Sequence, residues 1–125
     1  MNISRAMGLQ EREIISLVGG GGKTTLMFRL AGELALQRKV VVTTTTKIYR
    51  PSPDKFPLLL LGRDEQKEKG EKELAGYLQS GLIPVVGSEL LKNDKVDGIT
   101  GDQLNMLTKY ADYVLVEADG SKGRS

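Results

Sequence analysis

The chain contains no cysteine, no histidine and no tryptophan. Without cysteine there is no disulfide frame, no thiolate nucleophile and no persulfide carrier. Without histidine, proton transfer near neutral pH falls to carboxylates, lysines or water. Aromatic residues make up only 5% of the chain and the net charge is only +2. That surplus is too small to argue for nucleic acid or an anionic membrane as a partner. The longest apolar run, Phe56 to Leu61, falls far short of a bilayer span. The N-terminal stretch, with Asn2, Arg5 and Gly8, lacks the apolar core of a secretory signal. A cytoplasmic location is therefore expected. At 125 residues the chain is a single domain, 1–125, with room for a modest core.

What the chain does have is Leu17-Val18-Gly19-Gly20-Gly21-Gly22-Lys23-Thr24-Thr25, set between a short apolar segment and a helical pattern. Phosphate binding needs that order. A strand delivers the loop, glycines let backbone N–H groups turn toward an anion, and the next helix aims its N-terminus at the same place. Gly19, Gly20, Gly21 and Gly22 would form the cradle, with the N–H groups of Lys23, Thr24 and Thr25 opening the helix. Lys23 would neutralise the outer phosphates, and the Thr24 hydroxyl would meet Mg²⁺. The match to G-x-x-x-x-G-K-[ST] is incomplete, because Leu17 stands where the first glycine belongs. The variant K-G-G-x-G-K-[ST] fits better, except that Val18 replaces its leading lysine. The competing reading is a glycine linker, and the flanking strand and helix argue against it.

Strand and helix alternate along the chain. Ile3 to Leu9 reads as a lead-in helix, Glu13 to Val18 as the first strand, and Lys23 to Gln37 as a helix with Leu26, Leu30 and Leu34 on its apolar face and Met27 and Ala31 beside them. Val40 to Val42 reads as a strand running into Thr43–Thr46. Such a βαβ unit implies a parallel pair. Pro51, Pro53 and Pro57 mark a loop, and Leu58 to Leu61 a buried strand ended by Gly62. Arg63 to Glu73 reads as solvated chain, and Glu71 to Ser80 as a helix stopped by Gly81. Ile83 to Val86 reads as a strand, and Glu89 to Ile99 as a hairpin turning at Asn93-Asp94. Thr100 and Gln103 form a capping box for a helix with Leu104, Leu107 and Ala111 inward, and Tyr113 to Val116 is the last strand. The expected fold is α/β, a mostly parallel sheet with helices on both faces, like the P-loop NTPases.

In such sheets ligands sit beyond the C-terminal strand ends. That rule gathers Gly19–Thr25, Thr43–Lys47 and Glu117–Lys122 along one edge. Tyr113-Val114-Leu115-Val116-Glu117 follows the logic of a Walker B strand, with Glu117 as the acid for Mg²⁺. Glu117-Ala118-Asp119-Gly120 also has the D-x-x-G spacing of switch elements, with Glu in the acid's place. Asp119 would orient a water or accept a proton, and the Gly120 N–H would meet a terminal phosphate. The alternative is that both acids merely open a surface turn. Phosphoryl transfer needs cations, and Lys122, Arg124 or Lys47 could supply the charge the loop lacks. An ordinary basic surface is the other reading of those three. Thr45 and Thr46 are candidate phosphate or Mg²⁺ ligands, or simply a β-branched strand end. Tyr49 could stack on a base or pack. The nucleotide is read as ATP rather than GTP, since Asn93-Asp94-Lys95-Val96-Asp97 has the wrong spacing for N-K-x-D.

Taken together, VGGGGKTT, VVTTTTKIYRP, KVDGI and ADYVLVEADGSKGR, from about Leu9 to Arg124, resemble the YqeC-type accessory proteins linked to selenium-dependent molybdenum hydroxylases. The resemblance implies a P-loop NTPase-like factor that helps mature or load a selenium-containing molybdenum cofactor. Its partners would be a nucleoside triphosphate and a molybdenum hydroxylase or selenium donor protein. Proteins of that family continue beyond the KGR segment. The fold is therefore expected to be incomplete at its C-terminus, with self-association into a homo-oligomer or a disordered Gly120–Ser125 tail. Two other functions stay open: a small-molecule kinase acting on a cofactor precursor, with Asp119 as base, and a non-catalytic, nucleotide-gated binding module.

Overall fold

The computed structural model describes residues 13–17, 23–49, 56–62 and 67–118. Seven strands occur there: β1 (Glu13–Leu17), β2 (Val40–Thr44), β3 (Lys47–Tyr49), β4 (Leu58–Leu60), β5 (Val85–Gly87), β6 (Lys95–Asp97) and β7 (Tyr113–Glu117). Three α-helices join them: α1 (Lys23–Leu34), α2 (Lys67–Gln79) and α3 (Gly101–Tyr110). Five strands form one parallel sheet in the order β1-β7-β2-β5-β4, and β3 pairs antiparallel with β6 in a separate ribbon. The mostly parallel α/β reading is thus correct. The expected β1–β2 pair is not, because β7 lies between them. A βαβ pattern fixes the relative direction of two strands but leaves room for a later strand to insert.

Continuous apolar strands are covered on both faces. On one face α1 contributes Met27, Leu30, Ala31 and Leu34, which meet Ile15 and Leu17 of β1, Val40 and Val42 of β2, and Tyr113 and Leu115 of β7. On the other, Leu74 and Leu78 of α2 and Met106 and Leu107 of α3 cover Val41, Leu59, Val86, Val114 and Val116. The alternation along β2 and β7 is the period of two that pleating imposes.

Several boundaries and faces differ from the sequence reading. Helix α1 ends at Leu34 rather than Gln37. The buried stripe runs through Met27, Leu30, Ala31 and Leu34, as the periodicity predicts, but Leu26, which opens the i, i+4 series, is exposed. Part of the supposedly solvated Arg63–Glu73 stretch is helical, since α2 begins at Lys67. Its charged residues are good helix formers, and Gly70 lets α2 lie against Leu61, whose Cδ2 is 2.9 Å from where a Cβ would sit. Strand β4 is a sheet edge with Leu60 exposed rather than a fully buried strand. Strand β5 runs Val85–Gly87, later than Ile83 to Val86. The lead-in helix at Ile3 to Leu9 and the loop at Pro51 and Pro53 lie outside the described residues.

Local signals match closely elsewhere. Gly81, at φ +79, ends α2. Its N–H reaches the Leu78 carbonyl at 3.2 Å and the Leu82 N–H reaches Tyr77 at 3.1 Å, the bond pair of a Schellman cap. The Thr100–Gln103 capping box is formed in both directions, at 3.2 and 3.0 Å. Asn93 and Asp94 take left-handed φ values of 65 and 57, turning the hairpin whose second arm is β6.

Candidate functional site

The sheet register sets the geometry of the C-terminal edge. Leu17 of β1 is level with Glu117 of β7, and Glu117 is level with Thr44 of β2. Strands β1, β7 and β2 are parallel, so these residues close three adjacent strands on one row. By alternation with Ile15, Leu115 and Val42, all three side chains fall on the face that α1 covers. Helix α1 packs on β2 and β7 and begins at Lys23. The segment Val18 to Gly22 links β1 to it. The C-terminal end of β1, the start of α1 and Glu117 therefore belong to one edge and one face.

Backbone and hydroxyl bonds knit this row. The Ala118 N–H donates to the Leu17 carbonyl at 3.1 Å. The Glu117 carbonyl accepts from the Thr45 N–H at 3.3 Å and from Thr44 Oγ1 at 2.9 Å. Thr44 Oγ1 also accepts from the Thr46 N–H at 3.0 Å. Glu117 is buried, with 8% of its surface exposed. A carboxylate at that depth needs hydrogen-bond or cationic partners.

The second layer is the β3–β6 ribbon. The Gly98 N–H donates to the Thr46 carbonyl at 2.7 Å and the Ile99 N–H to Thr44 at 2.9 Å. A Cβ at Gly98 would lie 2.4 Å from the Thr45 carbonyl carbon, so only glycine fits. Ile48 and Val96 face the core, while Lys47, Tyr49 and Lys95 face outward. Lys95 Nζ lies 5.0 Å from the Tyr49 ring centroid, and Lys47 Nζ is 3.9 Å from Asp97 Oδ1.

Of the candidates from the sequence, Glu117, Thr45, Thr46 and Lys47 are described. Thr45 and Lys47 are exposed, Thr46 is half-buried, and all three leave the end of β2. Gly19, Gly20, Gly21, Gly22, Asp119, Gly120, Lys122, Arg124 and the Gly120–Ser125 tail lie outside the described residues, as do the side chains of Lys23, Thr24 and Thr25. Thr44 and Gly98 were not singled out as site residues. Their signals were a threonine closing a strand that opens with three valines, and a glycine directly after a strand.

The model of the YqeC protein family matches residues 15–125. The chain belongs to the YqeC family. A relative, the uncharacterized protein YqeC of Escherichia coli strain K12, is 36% identical over 121 residues. The alignment covers 94% of this chain, which spans 44% of the length of that relative. No solved structure matches the chain. Among the described residues no helix is long and apolar enough to cross a membrane.

Proposed function

We propose that this YqeC-family chain binds a nucleoside triphosphate, ATP by preference, through Gly19–Thr25. We read it as an accessory factor that uses NTP binding and hydrolysis to mature or load the selenium-containing molybdenum cofactor of a hydroxylase. The observation that carries the nucleotide reading is the level row Leu17–Glu117–Thr44 on the α1 face, at the edge where α1 begins. A glycine loop between such a strand and such a helix supplies N–H donors and the positive end of the helix dipole to phosphate oxygens. The cofactor role rests on the family resemblance.

A hard divalent cation fits the donor chemistry here. Among the described residues no group of three or more Asp, Glu, His or Cys could hold a metal ion. Mg²⁺ does not need one, since it keeps waters and takes one or two protein oxygens beside the phosphates. Glu117 and Thr24 would hold it, and it would neutralise charge on the outer phosphates. Lys23 binds the same phosphates, Asp119 positions the attacking water, and Lys122 and Arg124 add the positive charge that Val18 leaves out.

Calorimetric titration with ATP, GTP and adenosine tests the reading, followed by phosphate release with and without molybdenum cofactor and a selenium donor. Micromolar ATP binding with weak adenosine binding is expected. Equal affinity for ATP and adenosine would exclude a phosphate loop.

A further inference from the structure

Strand β2 ends in two consecutive threonines that are both fully buried. Each hydroxyl donates across the sheet to a neighbouring strand, but to opposite sides. Thr43 Oγ1 donates to the Val86 carbonyl of β5 at 2.6 Å. Thr44 Oγ1 donates to the Glu117 carbonyl of β7 at 2.9 Å. As buried hydroxyls the two are near equivalents. They differ in what hangs from the acceptor: Val86 carries an apolar side chain, and Glu117 carries the carboxylate at the end of β7.

The Thr44 hydroxyl is also fixed from its other side. It accepts from the Thr46 N–H at 3.0 Å, and the Thr46 carbonyl in turn takes the Gly98 N–H at 2.7 Å. Thr44 Oγ1 thus lies between the Thr46 N–H and the Glu117 carbonyl, with Thr46 Oγ1 a further 3.3 Å contact. The last peptide of β7 is tied to β2 by a side chain as well as by the ladder. Strand ends are where ladders loosen, and a group that must meet a cation works only if its backbone is held to within a fraction of an ångström.

We propose that Thr44 is a positioning residue that holds Glu117 in place to receive a divalent cation bound with a nucleotide. The inference rests on the reading of Glu117 given above. Its test uses the full chain, with ATP affinity measured by calorimetry in Mg²⁺ and in EDTA. The ratio of the two affinities is the Mg²⁺ increment. For Thr44→Val we expect the increment to fall by about 10- to 100-fold, the usual cost of losing a residue that orients a metal ligand. Binding in EDTA should stay at the wild-type level. Thr44→Ser should restore the increment. Thr43→Val removes an equally buried hydroxyl and should leave it intact, which a purely structural role for both threonines would not produce.

If Thr44→Val and Thr43→Val behave alike, the positioning role is wrong. Should Glu117→Gln abolish the increment while Thr44→Val does not, the role of Thr44 falls and that of Glu117 stands. A wild-type chain whose ATP affinity ignores Mg²⁺ removes both. If Thr44→Val does not fold by circular dichroism, Thr44→Cys keeps the volume with a weaker donor. A full increment in that variant overturns the proposal.

Discussion

The two sides of the main sheet are built differently. Strands β1, β7 and β2 pair over five consecutive residues each, and β2 and β7 are buried along their whole length. Beyond β2 the pairing shortens to two residue pairs with β5 and three between β5 and β4, and the outer strand exposes Leu60. The short side is held partly by side chains that reach across layers. Gln103 Nε2 donates to the Gly62 carbonyl at 3.0 Å, and Tyr110 donates a short hydrogen bond to Glu71. The candidate site sits on the long-paired side. There the ladder carries the pairing and the Thr44 hydroxyl adds a tie at the strand ends, whereas the outer side draws on helix-borne contacts.

The sharpest way to break this contrast is a pair of leucine truncations. Leu115→Ala in β7 removes a fully buried side chain between β1 and β2 and is expected to cost about 2–5 kcal/mol in urea unfolding. Leu60→Ala, on the exposed edge, should stay within about 0.5 kcal/mol. Similar losses at both positions would mean that the two sides are one cooperative unit with no difference in tolerance.

Lys23→Ala asks whether the long-paired side carries binding as well as stability. Triphosphate affinity is expected to fall by about 1.5–3 kcal/mol, with unfolding nearly unchanged, because one charge-assisted contact is lost. An unchanged affinity for both ATP and GTP would remove the phosphate loop from this edge.

Thr100→Ala probes the short side, since it opens the capping box from which Gln103 reaches Gly62, just past β4. A loss of about 1 kcal/mol is expected. Amide exchange should quicken at Leu59–Gly62 and not at Tyr113–Glu117. The reverse pattern would contradict the assignment of α3 as a support for the outer strands.

The smallest effect concerns Tyr110. Its hydrogen bond to Glu71, with lesser contributions from burial and the Glu71 charge, holds the phenol above its ordinary pKa. The folded state therefore favours the protonated phenol. That contribution is complete below the unfolded value, near pH 10, and fades as pH rises through the higher folded value. In tyrosine-labelled NMR titrations, Glu71→Gln should bring Tyr110 back toward its ordinary value. No change would show that Glu71 is not the cause.

The sequence made the α/β class, the capping box, the Gly81 stop and the Asn93-Asp94 turn legible, because each is written in neighbouring residues. It could not show that β7 inserts between β1 and β2, since three short segments of equal length, each with apolar residues to bury, offer similar surfaces to one another. The repeat of Leu26, Leu30 and Leu34 located the buried stripe of α1 but not which first-turn neighbour, Leu26 or Met27, it takes in. In the candidate site, Glu117 was visible as an acid closing an apolar strand. Thr44 was hidden inside a run of four threonines, where only the register assigns the second to Glu117 and the first to Val86.

The position of β7 has a kinetic consequence. Strand β1 pairs with β7, so Ile15 must find Leu115 before the first strand gains this partner. Closing so long a stretch is entropically slow, and the local helices and the β6 hairpin form without it. Among the described residues, the row of strand ends is therefore expected to assemble late. In pulse-labelled refolding, the amides of β1 and β7 should become protected in a single late phase, after those of α2.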